Sequence, residues 1–431
     1  MLEITTPRQG AILNRRHGRE SENSLIVTVE GISESGRPVS VNGKPSVMDG
    51  RRFSVEIELT QKINPVTASV MTPYGVYSQN ITLVWDKKSF RRYQCYIDDH
   101  SFVFTELTRQ RPEHAFDHFY LAGLKKIHDE SGLKVILNTF YRNDHDPRGF
   151  LLKEMPDIWR SEFQDNSDWL KLSFHAYSEF PDRPYVETSA EEFGRDYDLV
   201  KNEIIRFAGP ETFTPPVVLH WGSLHPAAVA ELLRRGTRCY NNTFRPKVSG
   251  GPGLAARMNG GNMDHVQARS LSGADRLAPS EGLQMHFGHQ EESDYLKHHA
   301  AYYDPSLDLI FFFGGICCNL VPLAEIPGRF EAMLRNAEQY GIDTLKFASH
   351  EQYTFPNYPN YLPDHMERIA LTARLFKENG FSPVFFNEGL LGNTAWPSPS
   401  KAVTASSKQP SVPEKNSWSG TTCATWTSYS R

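Results

Sequence analysis

The hydrophobic pattern of the chain changes near residue 89, and this change restricts the fold more than any other feature of the sequence. In the first 86 residues apolar and polar positions alternate, most regularly at residues 53–59. A period of two with β-branched side chains is typical of strands that bury one face. Asn42-Gly43 lies between two such runs, where a hairpin turn needs a positive φ. Residues 1–88 are therefore predicted to form a small immunoglobulin-like β-sandwich.

From residue 89 onward, short apolar runs alternate with longer segments whose apolar residues have helical spacing. Strands are predicted at residues 92–97, 134–140, 170–174, 217–221, 307–313, 345–348 and 384–386, and helices at about 116–127, 190–207, 327–340 and 363–378. Regular alternation of this length predicts a parallel sheet, either open or closed into a barrel. The presence of six or seven strand–helix units favours a barrel over residues 89–392.

Two segments lack this periodicity. Residues 249–288 are rich in Gly, Ser, Arg and Met, and we interpret them as an irregular insertion of the kind that often contributes to the rim of an active site. Of the 39 residues from 393 to 431, fifteen are Ser or Thr. This composition predicts a disordered tail.

The composition excludes some classes of function. Lys and Arg number 46 against 51 Asp and Glu, a net charge of −5 that argues against a nucleic-acid partner. The five cysteines include no CxxC pair, so we expect buried thiols rather than a structural zinc knuckle. The chain begins without a basic and apolar leader, and its longest apolar run is too short for a bilayer. These features predict a soluble, cytoplasmic protein without a transmembrane segment.

Polar residues follow the apolar strands at several points. Asp98, Asp99 and His100 end the strand predicted at 92–97. In a parallel β/α architecture the carboxyl ends of the strands face the active site. Adjacent carboxylates can have different roles there, because one can bind a cation while the other accepts a proton. The alternative interpretation of this pair is a helix cap or a solvated loop.

Later strands end in a similar way. His175 ends the strand at 170–174, and Glu179 would share its face if a helical turn followed. An imidazole and a carboxylate are suitable ligands for a divalent metal, although a lone buried histidine is more often a core residue. His220 could be a ligand or a substrate donor, and Trp221 either a stacking surface or a core residue. His350 could act as a general acid near neutral pH.

Taken in order, these segments resemble the polysaccharide deacetylases, the superfamily with the NodB homology domain. The resemblance covers about residues 90–390. Asp98-Asp99 matches the family's acidic pair, His175 and Glu179 occupy the two histidine positions of its second motif, and the strand ending in His350 loosely matches its last motif, Leu-x-His. The segment 219–222 and the helix after it have the shape of the third motif. The sequence departs from the family at His100, Glu179 and His220-Trp221, and no arginine is found in the third motif.

The resemblance implies an irregular (β/α)7 barrel and the removal of acyl groups, N- or O-acetyl, from a carbohydrate. It implies a divalent metal, zinc above others, bound by Asp99, His175 and Glu179. Asp98 would then be the catalytic base and His350 the general acid. We assign His220, Trp221, His100 and Glu351 to substrate binding. The sequence leaves the oligomeric state open.

Two other functions compete with this hypothesis. A glycoside hydrolase would need two carboxylates about 5–9.5 Å apart, which Asp98 or Asp99 could form with Glu179 or Glu351. A carbohydrate-binding protein without catalysis would suit the β module and the aromatic content of 12%. Metal dependence and the release of acetate rather than reducing sugar distinguish the deacetylase from both.

Overall fold

The computed structural model of the protein describes residues 1–185, 187–222, 224–241, 295–296, 298–390 and 392–396. The insertion predicted at residues 249–288 lies outside this part of the chain, as does the tail predicted from residue 393 except for its first four residues. Within the described part, every helix is too short or too polar to span a lipid bilayer.

The amino-terminal region is all-β, as its alternating pattern predicts. Its strands are β1 (Leu2–Thr6), β2 (Ile12–Leu13), β3 (Arg19–Glu20), β4 (Leu25–Ser33), β5 (Val39–Val41), β6 (Lys44–Pro45), β7 (Val47–Asp49), β8 (Arg52–Leu59), β9 (Ile63–Thr72) and β10 (Gly75–Trp85). One sheet has the order β1-β4-β8-β7 with β3 on β4, and the other has the order β2-β10-β9-β5-β6. All pairs are antiparallel except β2 with β10.

Strand β8 illustrates why this region folds as sheets. Phe53, Val55, Ile57 and Leu59 are buried, whereas the glutamates between them are exposed. Side chains of a strand alternate between its two faces, so one face enters the core while the other meets solvent. The turn between β5 and β6 is Asn42-Gly43, and both residues have positive φ values, as the hairpin prediction requires.

The rest of the described chain is mixed α/β. Its strands are β11 (Arg92–His100), β12 (Val135–Phe140), β13 (Leu170–Ala176), β14 (Cys239–Asn241), β15 (Ala301–Asp304), β16 (Leu309–Phe312), β17 (Ile316–Cys317), β18 (Thr344–His350) and β19 (Ser382–Pro383). Its helices are α1 (Phe102–Gln110), α2 (Phe119–Ser131), α3 (Arg160–Asp165), α4 (Ala190–Ala208), α5 (Pro226–Arg234), α6 (Ile326–Gln339) and α7 (His365–Glu378).

These strands form two sheets. The larger sheet is parallel and has the order β13-β12-β11-β18-β17, with β19 beside β11, and the smaller one has the order β14-β16-β15. The strands assigned within the described residues do not close into a barrel. The parallel arrangement predicted for the α/β region is therefore present, in more than one sheet.

The strand predicted at residues 384–386 is replaced by the two-residue strand β19 at Ser382–Pro383, and two further elements differ from the sequence prediction. The strand expected at residues 217–221 is an extended segment that ends in a 3-10 turn, His220–Gly222. Trp221 and Gly222 both have φ values of 62°, a left-handed conformation that interrupts a strand. The run at 307–313 is shorter than expected, because Asp308 has a φ of 49° and forms the tight connection between β15 and β16.

The central strand of the larger sheet is covered on both faces. All nine residues of β11 are buried. On the outer face Tyr93 stacks on Phe376 of α7, with ring centroids 4.4 Å apart, and on Phe347 of β18. On the opposite face Tyr96 packs near Phe386 and the apolar residues of β14 and β16. Because helices and a second apolar cluster cover β11, its carboxyl end is the part left to project polar groups.

The β region is joined to the α/β region through a buried carboxylate. Asp343 precedes β18 and is 3% exposed. Its Oδ2 accepts hydrogen bonds from Ser89 Oγ at 2.5 Å and from Asn14 Nδ2 at 3.4 Å. Arg15 and Arg16 each place a guanidinium nitrogen 3.6 Å from this carboxylate. One acidic side chain thus connects β2, the loop before β11 and the start of β18.

We expect Asp343→Ala to lower the free energy of unfolding by about 2–4 kcal/mol, because buried donors would lose a charged acceptor. Urea unfolding followed by circular dichroism measures the change. Asp129→Ala is a suitable control, since Asp129 is 55% exposed and pairs with Lys125 on the surface of α2; its cost should be about 0.5 kcal/mol or less. Equal effects of the two substitutions would contradict the proposed role of Asp343.

Candidate metal centre

Three buried side chains meet at the carboxyl ends of the parallel strands. Asp99 comes from the end of β11, His175 from the end of β13, and His220 from the 3-10 turn after the extended segment. One ligand atom from each lies within 4.8 Å of the others. A carboxylate oxygen and two imidazole nitrogens at this separation could hold a divalent metal ion.

The contacts within this cluster centre on the Asp99 carboxylate. Its Oδ1 lies 3.1 Å from His175 Nε2 and 3.4 Å from His220 Nδ1. Its Oδ2 accepts a hydrogen bond of 2.9 Å from Gln352 Nε2. Gln352 therefore holds one oxygen in place, and the other oxygen faces the two histidines.

Backbone carbonyls orient both histidines. His175 Nδ1 lies 3.4 Å from the carbonyl oxygen of Val218, and His220 Nε2 lies 3.1 Å from that of Glu179. With a metal bound, the nitrogen beside each carbonyl would carry the proton and donate it, and the other nitrogen, which faces Asp99, would direct its lone pair to the metal. Metal-binding histidines are held in the same way by a hydrogen bond from their second nitrogen.

The environment sets the charges of the cluster. Burial acts to raise the pKa of Asp99, but hydrogen bonds from His175 and His220 outweigh it and hold that pKa well below its usual range. Burial lowers the pKa of His175 to about 4, so this ring is neutral at neutral pH. Burial also acts to lower the pKa of His220, but its hydrogen bond with Asp99 prevails and raises it. An ionised carboxylate and a neutral imidazole are the forms that bind metals.

A local irregularity allows two consecutive acids to face the same site. Neighbouring residues of a regular strand point to opposite faces. Here Asp99 has a φ of 68°, and the pairing of β11 with β12 shifts between Ile97 and His100. As a result Asp98 Oδ1 lies 3.8 Å from His175 Nδ1 while Asp99 Oδ1 approaches the other nitrogen of the same ring. Bulges often redirect side chains in this manner beside active sites.

Asp98 lies next to the cluster. Its Oδ1 accepts a hydrogen bond of 2.7 Å from Asn138 Nδ2 on β12. Burial raises the pKa of Asp98 well above its usual range, and the negative charge of Asp99 acts in the same direction. A carboxylate in this environment is a stronger base than one in water.

His350 is directly beside Asp98 in the sheet, because the two residues are register partners of β11 and β18. Its Nδ1 lies 3.0 Å from Asn319 Oδ1. An amide oxygen can only accept, so Nδ1 carries the proton and Nε2 is the nitrogen left for exchange with a substrate. The ring is partly exposed, and burial lowers its pKa.

Glu179, predicted as the third ligand, contributes in another way. Its carboxylate pairs with His145 Nε2 at 2.5 Å, whereas its backbone carbonyl contacts His220. The residues after His175 form bends and no helix, so positions four apart do not share a face. The structure therefore groups His220, which the sequence assigned to substrate binding, with Asp99 and His175.

Two other residues assigned to substrate binding serve the fold. The carboxylate of Glu351 is fully buried and accepts the backbone N–H groups of Ser101, Phe102 and Val103 at 2.7–2.9 Å. It caps the start of α1. His100 is also fully buried, and its Nε2 lies 2.8 Å from the hydroxyl of Tyr120. Neither side chain has exposed surface for a substrate.

Trp221 is the predicted substrate residue that retains exposed surface. Its indole is partly exposed, next to His220, and the Arg183 guanidinium lies 5.2 Å from its ring centre. The sequence did not single out Gln352, Asn138, Asn319 and His145. Gln352 follows His350 by two positions and offers a weak signal, but the other three become neighbours of the site only through folding.

The comparisons with known proteins leave the family open. No protein-family model matches this chain, and no curated protein is significantly similar to it. The resemblance to the polysaccharide deacetylases consequently depends on the motifs of the sequence alone.

The zinc affinities of variants distinguish a ligand set that contains His220 from one that contains Glu179. We expect His220→Ala to weaken zinc binding by more than the ~10–100-fold that follows from loss of a supporting hydrogen bond. We expect Glu179→Gln to change it only a few-fold, because the carbonyl that holds His220 remains. Isothermal titration of the metal-depleted protein with zinc measures both affinities. A greater loss in Glu179→Gln than in His220→Ala would restore Glu179 as the ligand.

Proposed function

We propose that this protein is a metal-dependent hydrolase that removes acyl groups, N- or O-acetyl, from a carbohydrate, as a divergent member of the polysaccharide deacetylase superfamily. One observation carries the proposal. A buried Asp99–His175–His220 donor set lies at the carboxyl ends of parallel strands, in contact with a second carboxylate, Asp98, whose neighbour in the sheet is His350. These residues would supply a metal site, a base and an acid within one region.

The proposal includes an irregular (β/α)7 barrel. The barrel is supported by the extended segment at residues 213–219, which forms backbone hydrogen bonds with both the larger and the smaller sheet. Thr214 N donates to Leu172 O of β13 at 3.0 Å, and Asn241 N of β14 donates to Val217 O at 2.5 Å. With this segment as a strand, the seven members would be β11, β12, β13, the segment, β14, β16 with β17, and β18.

The donor set fits a catalytic metal. Three protein ligands leave a position for water or substrate, and imidazole ligands favour zinc among the common divalent ions. A bound zinc ion would polarise the acyl oxygen and lower the pKa of the attacking water. Asp99, His175 and His220 would hold it, with Gln352 and two backbone carbonyls keeping these ligands oriented.

Asp98 would accept the proton of the attacking water. The hydrogen bond from Asn138 holds one carboxylate oxygen, and the other oxygen remains for the water. The raised pKa that burial confers on Asp98 increases its basicity. Its contact with His175 places the base beside the metal ligands.

His350 would donate a proton to the departing amine or hydroxyl. The contact with Asn319 leaves Nε2 as the nitrogen for this transfer. The lowered pKa of the His350 ring makes its imidazolium form the stronger acid. Trp221, beside His220, and Tyr353 and Tyr358, beside His350, would supply aromatic faces for a sugar ring.

The contacts of the glutamates favour a deacetylase over a glycoside hydrolase. The Glu351 carboxylate is occupied by three backbone N–H groups, and the Glu179 carboxylate by His145. A glycosidase mechanism would need one of them as a partner for Asp98 or Asp99 across the sugar. Both would have to give up their present hydrogen bonds first.

We expect the zinc-loaded protein to release acetate from at least one member of a panel of acetylated sugars. Asp98→Asn and His350→Gln should each lower kcat by ~10²–10⁴-fold, because a general base or acid is lost. Both variants should retain zinc. Asp129→Asn, a change of the same kind on an exposed carboxylate, should leave kcat unaltered. Acetate assays with elemental analysis of each variant provide the measurements.

Other outcomes of these assays would contradict the proposed function. Release of reducing sugar in the presence of a chelator would indicate the glycoside hydrolase. Chelator-insensitive sugar binding without any turnover would indicate a binding protein. Unchanged turnover in Asp98→Asn would remove this residue from the mechanism.

A further inference from the structure

Cys317 has a chemical setting that the proposed hydrolysis does not use. It lies on β17, next to β18, and is partly exposed. Its Sγ lies 3.9 Å from His350 Nδ1 and 3.2 Å from Asn319 Oδ1. A thiol, an imidazole and an amide oxygen therefore form one cluster at the edge of the candidate site. A thiol beside an imidazole N–H is in a setting that favours the reactive thiolate.

The other cysteines in the described part of the chain differ from Cys317. Cys95, Cys239 and Cys318 are buried. Burial raises the pKa of the Cys318 thiol to about 12, and it raises the pKa values of Cys95 and Cys239 as well. Buried thiols in apolar surroundings are inert. Cys318 also faces away from the site, since its Sγ contacts Thr372 Oγ1 of α7 at 3.5 Å.

The charged neighbours of Cys317 favour its thiolate. The Lys346 ammonium on β18 is buried and interacts electrostatically with the thiol. His350 presents its Nδ1–H to the same cluster, and cationic or N–H-donating neighbours are the features that lower thiol pKa values in proteins. The phenols of Tyr96 and Tyr353 also face this sulfur. Both stay neutral, because burial raises their pKa values, so they do not oppose a thiolate.

We propose that Cys317 is a modification site that reacts with small hydroperoxides such as hydrogen peroxide. The thiol loses its proton to solvent. The thiolate sulfur attacks one peroxide oxygen, an S–O bond forms and the O–O bond breaks. The sulfur loses two electrons and becomes a sulfenic acid, and the departing hydroxide takes a proton from solvent to form water.

The modification has a consequence for the candidate site. An oxygen added to Sγ would lie between the sulfur and the Nδ1 edge of His350, where Asn319 now holds the ring. The oxidised cysteine would compete for that hydrogen bond and turn Nε2 away from the substrate. This second step rests on the proposed function, whereas the reactivity of Cys317 does not.

The reactivity is tested on the full-length, zinc-loaded protein by peptide mass spectrometry. After limited exposure to hydrogen peroxide and trapping with dimedone, we expect adducts at Cys317 to form at least about tenfold faster than at Cys95, Cys239 or Cys318. These three residues serve as internal controls, so the comparison needs no variant. Equal labelling of Cys317 and Cys318 would overturn the assignment.

The pairing with His350 is tested separately. In His350→Leu the labelling of Cys317 should slow about tenfold, because the imidazole N–H that stabilises the thiolate is lost. An unchanged rate in a folded variant, shown by an unaltered circular dichroism spectrum, would overturn the role of the histidine. Asn319→Leu provides a second variant that should also slow the reaction by releasing the ring.

The effect on hydrolysis has its own readout. Peroxide should reduce acetate release several-fold, dithiothreitol should restore it, and Cys317→Ser should be insensitive. If Cys317 is modified while acetate release continues unchanged, the consequence for His350 is wrong and the modification site stands. If no acylated sugar is hydrolysed by the untreated protein, the proposed function fails while the labelling result still decides the reactivity.

Discussion

The carboxylate of Glu351 is the interaction on which the arrangement of the site depends. It accepts the backbone N–H groups of residues 101–103, and so it fixes the end of β11 and the start of α1 to the end of β18. Ser101, at the cap position of α1, makes no side-chain cap of its own. His350 and Gln352 flank this carboxylate in sequence. One buried carboxyl group therefore sets the position of the proposed acid and of the donor to Asp99.

The site is assembled where the regular structure is interrupted. Asp99 and Trp221 both have left-handed backbone conformations, which cost about 1–3 kcal/mol each in residues other than glycine. The first allows two consecutive acids to approach His175. The second ends the extended segment so that His220 turns toward the same carboxylate. The surrounding contacts, including the carbonyl bonds to both imidazoles, hold these conformations in place.

The sequence predicted where the candidate site lies better than it predicted which residues form it. Asp98, Asp99, His175 and His350 could be found because apolar runs ending in polar residues mark the carboxyl ends of parallel strands, which meet at one edge. Glu179 could not be separated from His220 in this way. Its assignment as a ligand assumed a helical turn after β13, and a spacing of four residues has no meaning in the bends that are present.

The pair His350-Glu351 shows why adjacent polar residues cannot be given the same role from sequence. Side chains that follow one another at a strand end face opposite sides, so only one of two neighbours can enter the site. His350 faces Asp98 and Asn319, whereas Glu351 turns to the helix that begins beside it. The same alternation sends His100 toward Tyr120. At Asp98-Asp99 a shift in register breaks this rule, and that exception is what brings a proposed base and a proposed metal ligand together from consecutive positions.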